Sequence, residues 1–309
     1  MTISFKVSDN VAKKMIKYFE DKRRPKTPAY AVFQANEEDT VVTLYESGKV
    51  VFQGVSADID ANIWASVEKK LNNIDIDTSE KKKEKEVIDR SLYNFSAIGS
   101  DEVGTGDYFL PIVVASSFVS KENFTLLEDL KINDSKKMTD EKIRSCAPIL
   151  IEKLPHSIVI ITNKEYNNYK NNDINMNKVK ALSHNKVLLD LKSSGVKYEK
   201  IIVDQFCVPG VYYHYLKDIQ PKVTNITFST KAESKNLSVA AASVIARYTF
   251  LLENDKLNKE YGITIPKGAG ITVDNVGVEL VSKYGEKVLE DLSKISFANT
   301  NKILNKIKK

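Results

Sequence analysis

The sequence predicts an α/β protein: a mixed sheet flanked by helices, preceded by a small α+β unit. Three observations predict it. From about Phe95 onward, short apolar runs alternate with stretches of helical period, the pattern of a layered α/β domain. Before Asn72, a helix, three strands and a helix can be read in order. Between the two, from about Asn72 to Arg90, lies a polar, charged stretch suited to a linker. With 309 residues, 42% hydrophobic and 28% charged, the chain has the composition of a folded protein with one large core or two smaller ones.

In the first unit, "VSDNVAKKMIKYFEDK" offers Ser8 or Asp9 as an N-cap and then Val11, Met15, Ile16 and Phe19 at helical spacing. Pro25 and Pro28 end that segment. The runs "AYAVFQA", "TVVTLYE" and "KVVFQG" read as strands, the last two joined by a Ser47–Gly48 turn. "ADIDANIWASVEKKLNN" is a second helix, capped by Asp58 or Asp60. This leaves one sheet face open, with Tyr30, Phe33, Tyr45 and Phe52 on or near it. Lys13, Lys14, Lys17, Lys22, Arg23, Arg24 and Lys26 crowd the preceding segment. Aromatic and basic side chains together suit base stacking and phosphate contact; a plain accessory fold with aromatics in its core fits the same composition.

In the second unit, "FSAIGSD" and "YFLPIVVASSFV" are strands, and "TDEKIRSCAPILIEKL" is a helix with acids in its first turn. "SIVIIT" reads as a buried strand. "MNKVKALSHNKVLLDLKSSG" is a long helix ending at Gly195. "YEKIIVDQF" and "VTNITFS" are strands, and "NLSVAAASVIARYTFLLEN" is a long, largely apolar helix. The expected organisation is residues 1–73, a linker over 74–92, and 93–309.

No apolar run approaches the ~20 residues of a membrane helix, and the N-terminus lacks the basic and apolar segments of a secretory signal. Cys146 and Cys207 are too few and too far apart for a disulfide framework or a metal motif, as in a reduced cytoplasmic protein. The net charge of +5 is compatible with a nucleic-acid partner. Nothing demands more than a monomer.

Acids stand at the ends of two apolar strands: Asp101 and Glu102 after "FSAIGS", and Asp204 after "KIIV". Glu233 lies just ahead of the long apolar helix. A lone Asp-Glu pair at a strand end is ordinarily a solvated turn. If the strands are neighbours, however, the acids converge outside the strand ends, where α/β sheets gather function. Clustered carboxylates raise one another's pKa values, and divalent cations resolve that conflict. Oxygen ligands without matching His or Cys favour Mg2+ or Mn2+ over zinc. Two such ions about 4 Å apart suit phosphodiester cleavage. Neither His156, His184 nor His214 shows a partnered catalytic pattern. Ser238 and Ser243 read as small residues that let a helix approach the sheet.

The wording of four segments goes further. "SDEVGTGD", "NDSKKM", "VDQF" and "KAESKNLSVAAASVIAR" come in the order found in the type 2 and type 3 ribonucleases H, and together they resemble that family from about Phe95 to the C-terminus. "IPKGAG" at 265–270 is similar to the family's later loop. The resemblance is closer to the type 3 enzymes, ribonuclease HIII. Gly104-Thr105-Gly106 stands where type 2 enzymes usually carry Gly-Arg-Gly, and Glu233 where they have aspartate. The N-terminal unit, with "YESGKVVFQG", is similar to the TATA-binding-protein-like domain with which type 3 enzymes grip an RNA/DNA hybrid.

The resemblance implies a ribonuclease H-like catalytic domain that cleaves the RNA strand of RNA/DNA hybrids, leaving 5′-phosphate and 3′-hydroxyl ends. It implies Asp101, Glu102, Asp204 and Glu233 as metal-binding catalytic acids for Mg2+ or Mn2+, with Asp101 bridging two ions. Gly104, Thr105 and Gly106 would meet the RNA strand, where ribose 2′-hydroxyls distinguish RNA from DNA. Lys136 and Lys231 would contact phosphate. Two rivals remain: a type 2-like incision at single embedded ribonucleotides, and a hybrid-binding protein without catalysis.

Overall fold

A computed structural model describes residues 2–78, 91–132 and 138–308. The chain divides into two compact units, Met1–Val87 and Ile88–Lys309. Most of the expected linker lies outside the described residues.

In the first unit, strands β1 (Thr2–Lys6), β2 (Ala31–Glu37), β3 (Thr40–Tyr45) and β4 (Lys49–Gly54) form an antiparallel sheet in the order β1-β4-β3-β2. Helices α1 (Asp9–Tyr18) and α2 (Ala57–Asn72) cover one side. Met15, Phe19, Phe33, Phe52 and Trp64 share the core between them. Strand β1 was not expected. Its alternation of Ile3 and Phe5 is too short to stand out, and its strand character comes from pairing with β4, Ile3 opposite Phe52. Of the four aromatics expected at the sheet, Phe33 and Phe52 are wholly buried, so their rings hold the core together. Tyr30 is exposed and, with Tyr45 and Lys49, lines a surface cavity.

The second unit is built on a mixed sheet of β5 (Ala97–Val103), β6 (Ile112–Val119), β7 (His156–Ile161), β8 (Lys200–Asp204) and β9 (Ile226–Ser229), ordered β7-β6-β5-β8-β9. Strands β5, β6 and β7 are antiparallel neighbours, whereas β5, β8 and β9 run parallel. The remaining helices are α3 (Phe124–Asp129), α4 (Asp140–Lys153), α5 (Asn163–Asn171), α6 (Met176–Ser193), α7 (Pro209–Tyr215), α8 (Leu237–Tyr261), α9 (Ile271–Tyr284), α10 (Val288–Leu292) and α11 (Ala298–Ile307). Strand β7, expected to be buried, is an edge strand with mostly half-buried side chains, Ile160 being 36% exposed. An apolar run alone does not tell an edge from a centre.

Two helices sandwich this sheet, and consecutive residues of β6 record it. Ser116 Oγ donates to Val187 O on α6, and Ser117 Oγ donates to Ser238 O on α8, each at 2.8 Å. Successive strand residues point to opposite faces. Helix α8 starts where the Asn236 side chain accepts from Ser238 N, and it ends at left-handed Gly262. Its buried face is made of Val239, Ala240, Ala241, Ala242 and Val244. These small residues bring the helix so close to β5 that a Cβ on Gly99 would lie 2.3 Å from Val239 N. The backbone on both sides is fixed by the sheet and the helix, so the contact has little room to relax. Gly99→Ala should therefore lower unfolding free energy by about 1–3 kcal/mol, as overpacked cores do; denaturant titration reads the loss, and an unchanged midpoint would contradict this packing.

Candidate active site

The parallel pairing of β5 with β8 sets the positions of the acids. Ser100 pairs with Val203, so Asp101 and Asp204 follow side by side at the carboxyl ends of neighbouring strands. Asp101 is 3% exposed. It hydrogen-bonds the Ser243 side chain of α8 and accepts from Glu102 N at 2.8 Å. Burial, then the charges of Glu102 and Asp204, push its pKa up to about 8. Asp204 Oδ1 accepts from Ala232 N at 2.9 Å, which ties β8 to the 3₁₀ turn Ala232–Ser234. Glu233 lies in that turn, 3% exposed. Asp101 thus faces α8, and Asp204 is held to the turn that leads into that helix.

Glu102, one residue on, points to the opposite face of the sheet, against α6. Its carboxylate accepts from Lys180 Nζ at 2.9 Å and from His184 Nε2 at 3.0 Å. Burial works to raise its pKa, but His184 and Lys180 outweigh that and bring it down to about 2. An ionised carboxylate only accepts, so Nε2 carries a proton, and in the neutral ring Nδ1 takes one from Ser100 Oγ, 2.8 Å away. Phe206 stacks on His184 at 5.2 Å between centroids, and Lys180 Nζ sits 4.2 Å from the same ring. His184 was given no role from the sequence. The signal that could have found it is the Lys180–His184 spacing of one helical turn, which puts both side chains on one face of α6.

Asp101 and Glu102, one pKa raised and the other lowered, also line one cavity of about 330 Å3, together with Asp107, Ser243, Arg247 and Lys267 among others. Ser243, expected only to permit close packing, also touches Asp101. Ser238 keeps the packing role against Gly99. The Gly104–Gly106 turn follows at the cavity edge. Gly104 has φ +88°, and a Cβ there would lie 2.0 Å from Pro111 O, so the fold itself requires glycine. Gly106 is exposed with open space around it, and Thr105 is half-buried. Below the turn, wholly buried Lys294 donates from Nζ to Asp107 O at 2.6 Å and to Leu110 O, bolting the loop to the body. Burial brings the Lys294 pKa down to about 7 against the pull of Asp107. Lys231 is exposed and left-handed at the start of the Glu233 turn. Lys136 lies outside the described residues.

Among the described residues, no group of three or more His, Cys, Asp or Glu side chains is arranged to hold a metal ion as it stands. Asp101, Glu102 and Asp204 meet through their charges rather than as a closed cage. The donor set nevertheless fits a hard divalent cation. It offers carboxylate oxygens, and the proton that burial and repulsion keep on Asp101 is what such a cation would replace.

The family described as Ribonuclease HII matches residues 98–300, and a domain of unknown function (DUF3378) matches residues 2–75. Fold and match together define the class, an endoribonuclease of the ribonuclease H type. Ribonuclease HIII of Bacillus velezensis is 42% identical over 307 residues, covering 96% of this chain and 95% of that protein. The Bacillus subtilis protein of the same name is 41% identical and covers 89% and 88%. The crystal structure of Bst-RNase HIII in complex with Mn2+ superimposes with a TM-score of 0.70 at 36% identity, covering 100% of this chain and 99% of that one. The chain belongs to the ribonuclease HIII family. No helix among the described residues is long and apolar enough to cross a membrane.

The Asp101 carboxyl carries a stability signature. Its folded pKa, about 8, exceeds its ordinary 3.8, so its contribution is present in full below pH 3.8 and is lost as pH rises through about 8. With a chelator present, Asp101→Asn should melt above wild type at pH 8.5, and the gap should narrow steadily as pH falls toward 5. Thermal melts across that range check it; a gap independent of pH would contradict the assigned cause.

Proposed function

We propose that this chain hydrolyses the RNA strand of RNA/DNA hybrids with the help of Mg2+ or Mn2+ ions, a two-ion site held by Asp101, Glu102, Asp204 and Glu233, leaving 5′-phosphate and 3′-hydroxyl ends. The observation that carries the proposal is the side-by-side placement of Asp101 and Asp204, with the Asp101 pKa pushed to about 8. The Mn2+ complex of Bst-RNase HIII supports the choice of cation. Bound divalent cations would supply water activation and neutralise charge on the leaving oxygen.

The chain's own residues do the rest. Ser243 and the Glu102 amide orient the Asp101 carboxylate, and Ala232 N orients Asp204. Lys180 and His184 keep Glu102 ionised and fixed, so it enters the site as a full negative charge. At Gly106 there is open space for a ribose-phosphate backbone to approach, and backbone groups of the Gly104–Gly106 turn can meet 2′-hydroxyls there. Thr105 is shorter than the arginine of type 2 enzymes, which favours runs of ribonucleotides over a single embedded one. Lys231 and Lys136 belong to the proposal as phosphate contacts. The 1–73 segment is the grip on the hybrid, 74–92 the connection and 93–309 the catalytic part. The chain acts as a monomer in the cytoplasm.

With Mg2+ or Mn2+, wild type should cut a labelled all-RNA/DNA hybrid in preference to a DNA duplex with one embedded ribonucleotide, and Asp204→Asn should lose at least about 100-fold in rate, the scale of losing a charge-stabilising group in a site. Preference for the single ribonucleotide would instead favour a type 2-like activity. Removal of residues 1–75 should weaken hybrid binding more than it slows single-turnover cleavage at saturation. Unchanged affinity at moderate salt, where phosphate contacts count most clearly, would remove the grip role.

A further inference from the structure

Arg247 and Lys267, which line the acidic cavity, and Asp140, which binds them both, have no part in the chemistry described above. Arg247 lies on α8 one turn beyond Ser243 and lines the same cavity as Asp101. Lys267 reaches that cavity from the loop between α8 and α9. Asp140, the first residue of α4, stands between them. Its Oδ1 accepts from Arg247 Nη2 at 2.7 Å and its Oδ2 from Lys267 Nζ at 2.5 Å.

Arg247 and Lys267 share the one Asp140 carboxylate, while Asp107, which lines the same cavity, accepts from Gly268 N. Arg247 is 23% and Lys267 41% exposed, so the group is wet and adds little to stability as an ion pair. Its positions are nonetheless fixed. The loop that carries Lys267 is stitched to the glycine turn: Gly268 N donates to Asp107 Oδ1 at 2.5 Å, and Tyr108 N donates to Gly268 O at 2.9 Å. On the other side, Asn254 Nδ2 donates to Ile265 O at 3.0 Å. One cavity therefore has one wall with Asp101 and Glu102 and another where the cations Arg247 and Lys267 stand with Asp107. A guanidinium has five donors and can serve a carboxylate and a phosphate together.

We propose that Arg247 and Lys267, bridged by Asp140, bind a backbone phosphate of the cleaved strand flanking the cut, so that the two walls of one cavity seat neighbouring phosphates. This rests on the reading of that cavity as the cleavage site. Asp140 is a positioning residue: it fixes where the two cations stand.

The test walks one neutral methylphosphonate along the RNA strand of a hybrid, with a 2′-O-methyl sugar before it and a matching 2′-O-methyl phosphate control. Wild type should lose about tenfold or more in kcat/KM at one flanking position, the scale of a hydrogen bond to a charged group. Arg247→Met and Lys267→Met should each lose rate on the control, with a reduced further loss from the methylphosphonate at that position. Arg247→Lys should fall between wild type and Arg247→Met. Equal methylphosphonate losses in wild type and Arg247→Met at every position would overturn the proposal, as would variants that lose rate only in step with a fall in Tm. Failure of the underlying reading shows separately, because wild type would then leave the unmodified hybrid uncut.

Discussion

Everything in the second unit is arranged around a conflict of charge. The parallel ladder of β5 and β8 sets Asp101 beside Asp204, and Glu102 adds a third negative charge one residue away. Packing of α8 buries the first of these acids. A carboxyl so placed is held mostly protonated at neutral pH until a positive charge arrives. The unusual closeness of Gly99 to Val239 and the run of alanines on α8 serve this burial, since a bulkier interface would lift the helix and let water in.

The sheet resolves part of the conflict by its own alternation. Glu102 faces the other side, where Lys180 and His184 take its charge and Phe206 packs beneath them. Adjacent acids thus have opposite environments: Asp101 is raised and Glu102 lowered. One is a carboxyl that holds its proton, and the other is a fixed charge. The glycine turn that follows is constrained at one end and open at the other. Gly104 is demanded by Pro111, while Gly106 meets nothing within 4 Å. Lys294 holds the loop between turn and sheet without facing solvent.

Much of this was legible in the sequence, because strand periods and turn residues are local signals. Strand–helix alternation, the apolar helix from Leu237 and the acids at strand ends all follow from residues near one another in the chain. What was not legible depends on partners far away. Strand β1 is a strand because β4 lies beside it, β7 is mostly half-buried because the sheet ends there, and Phe33 and Phe52 are core because two helices cover that face. His184 and Lys294 were missed for the same reason: the first meets Glu102 from 82 residues away and the second meets Asp107 from 187.

The central claim is that Asp101 keeps a proton which a divalent cation displaces. Calorimetric titration with Mn2+ at pH 7, repeated in buffers of different ionisation enthalpy, counts protons released on binding. The account predicts close to one proton per chain for wild type and none for Asp101→Asn. Binding without proton release in wild type would contradict it.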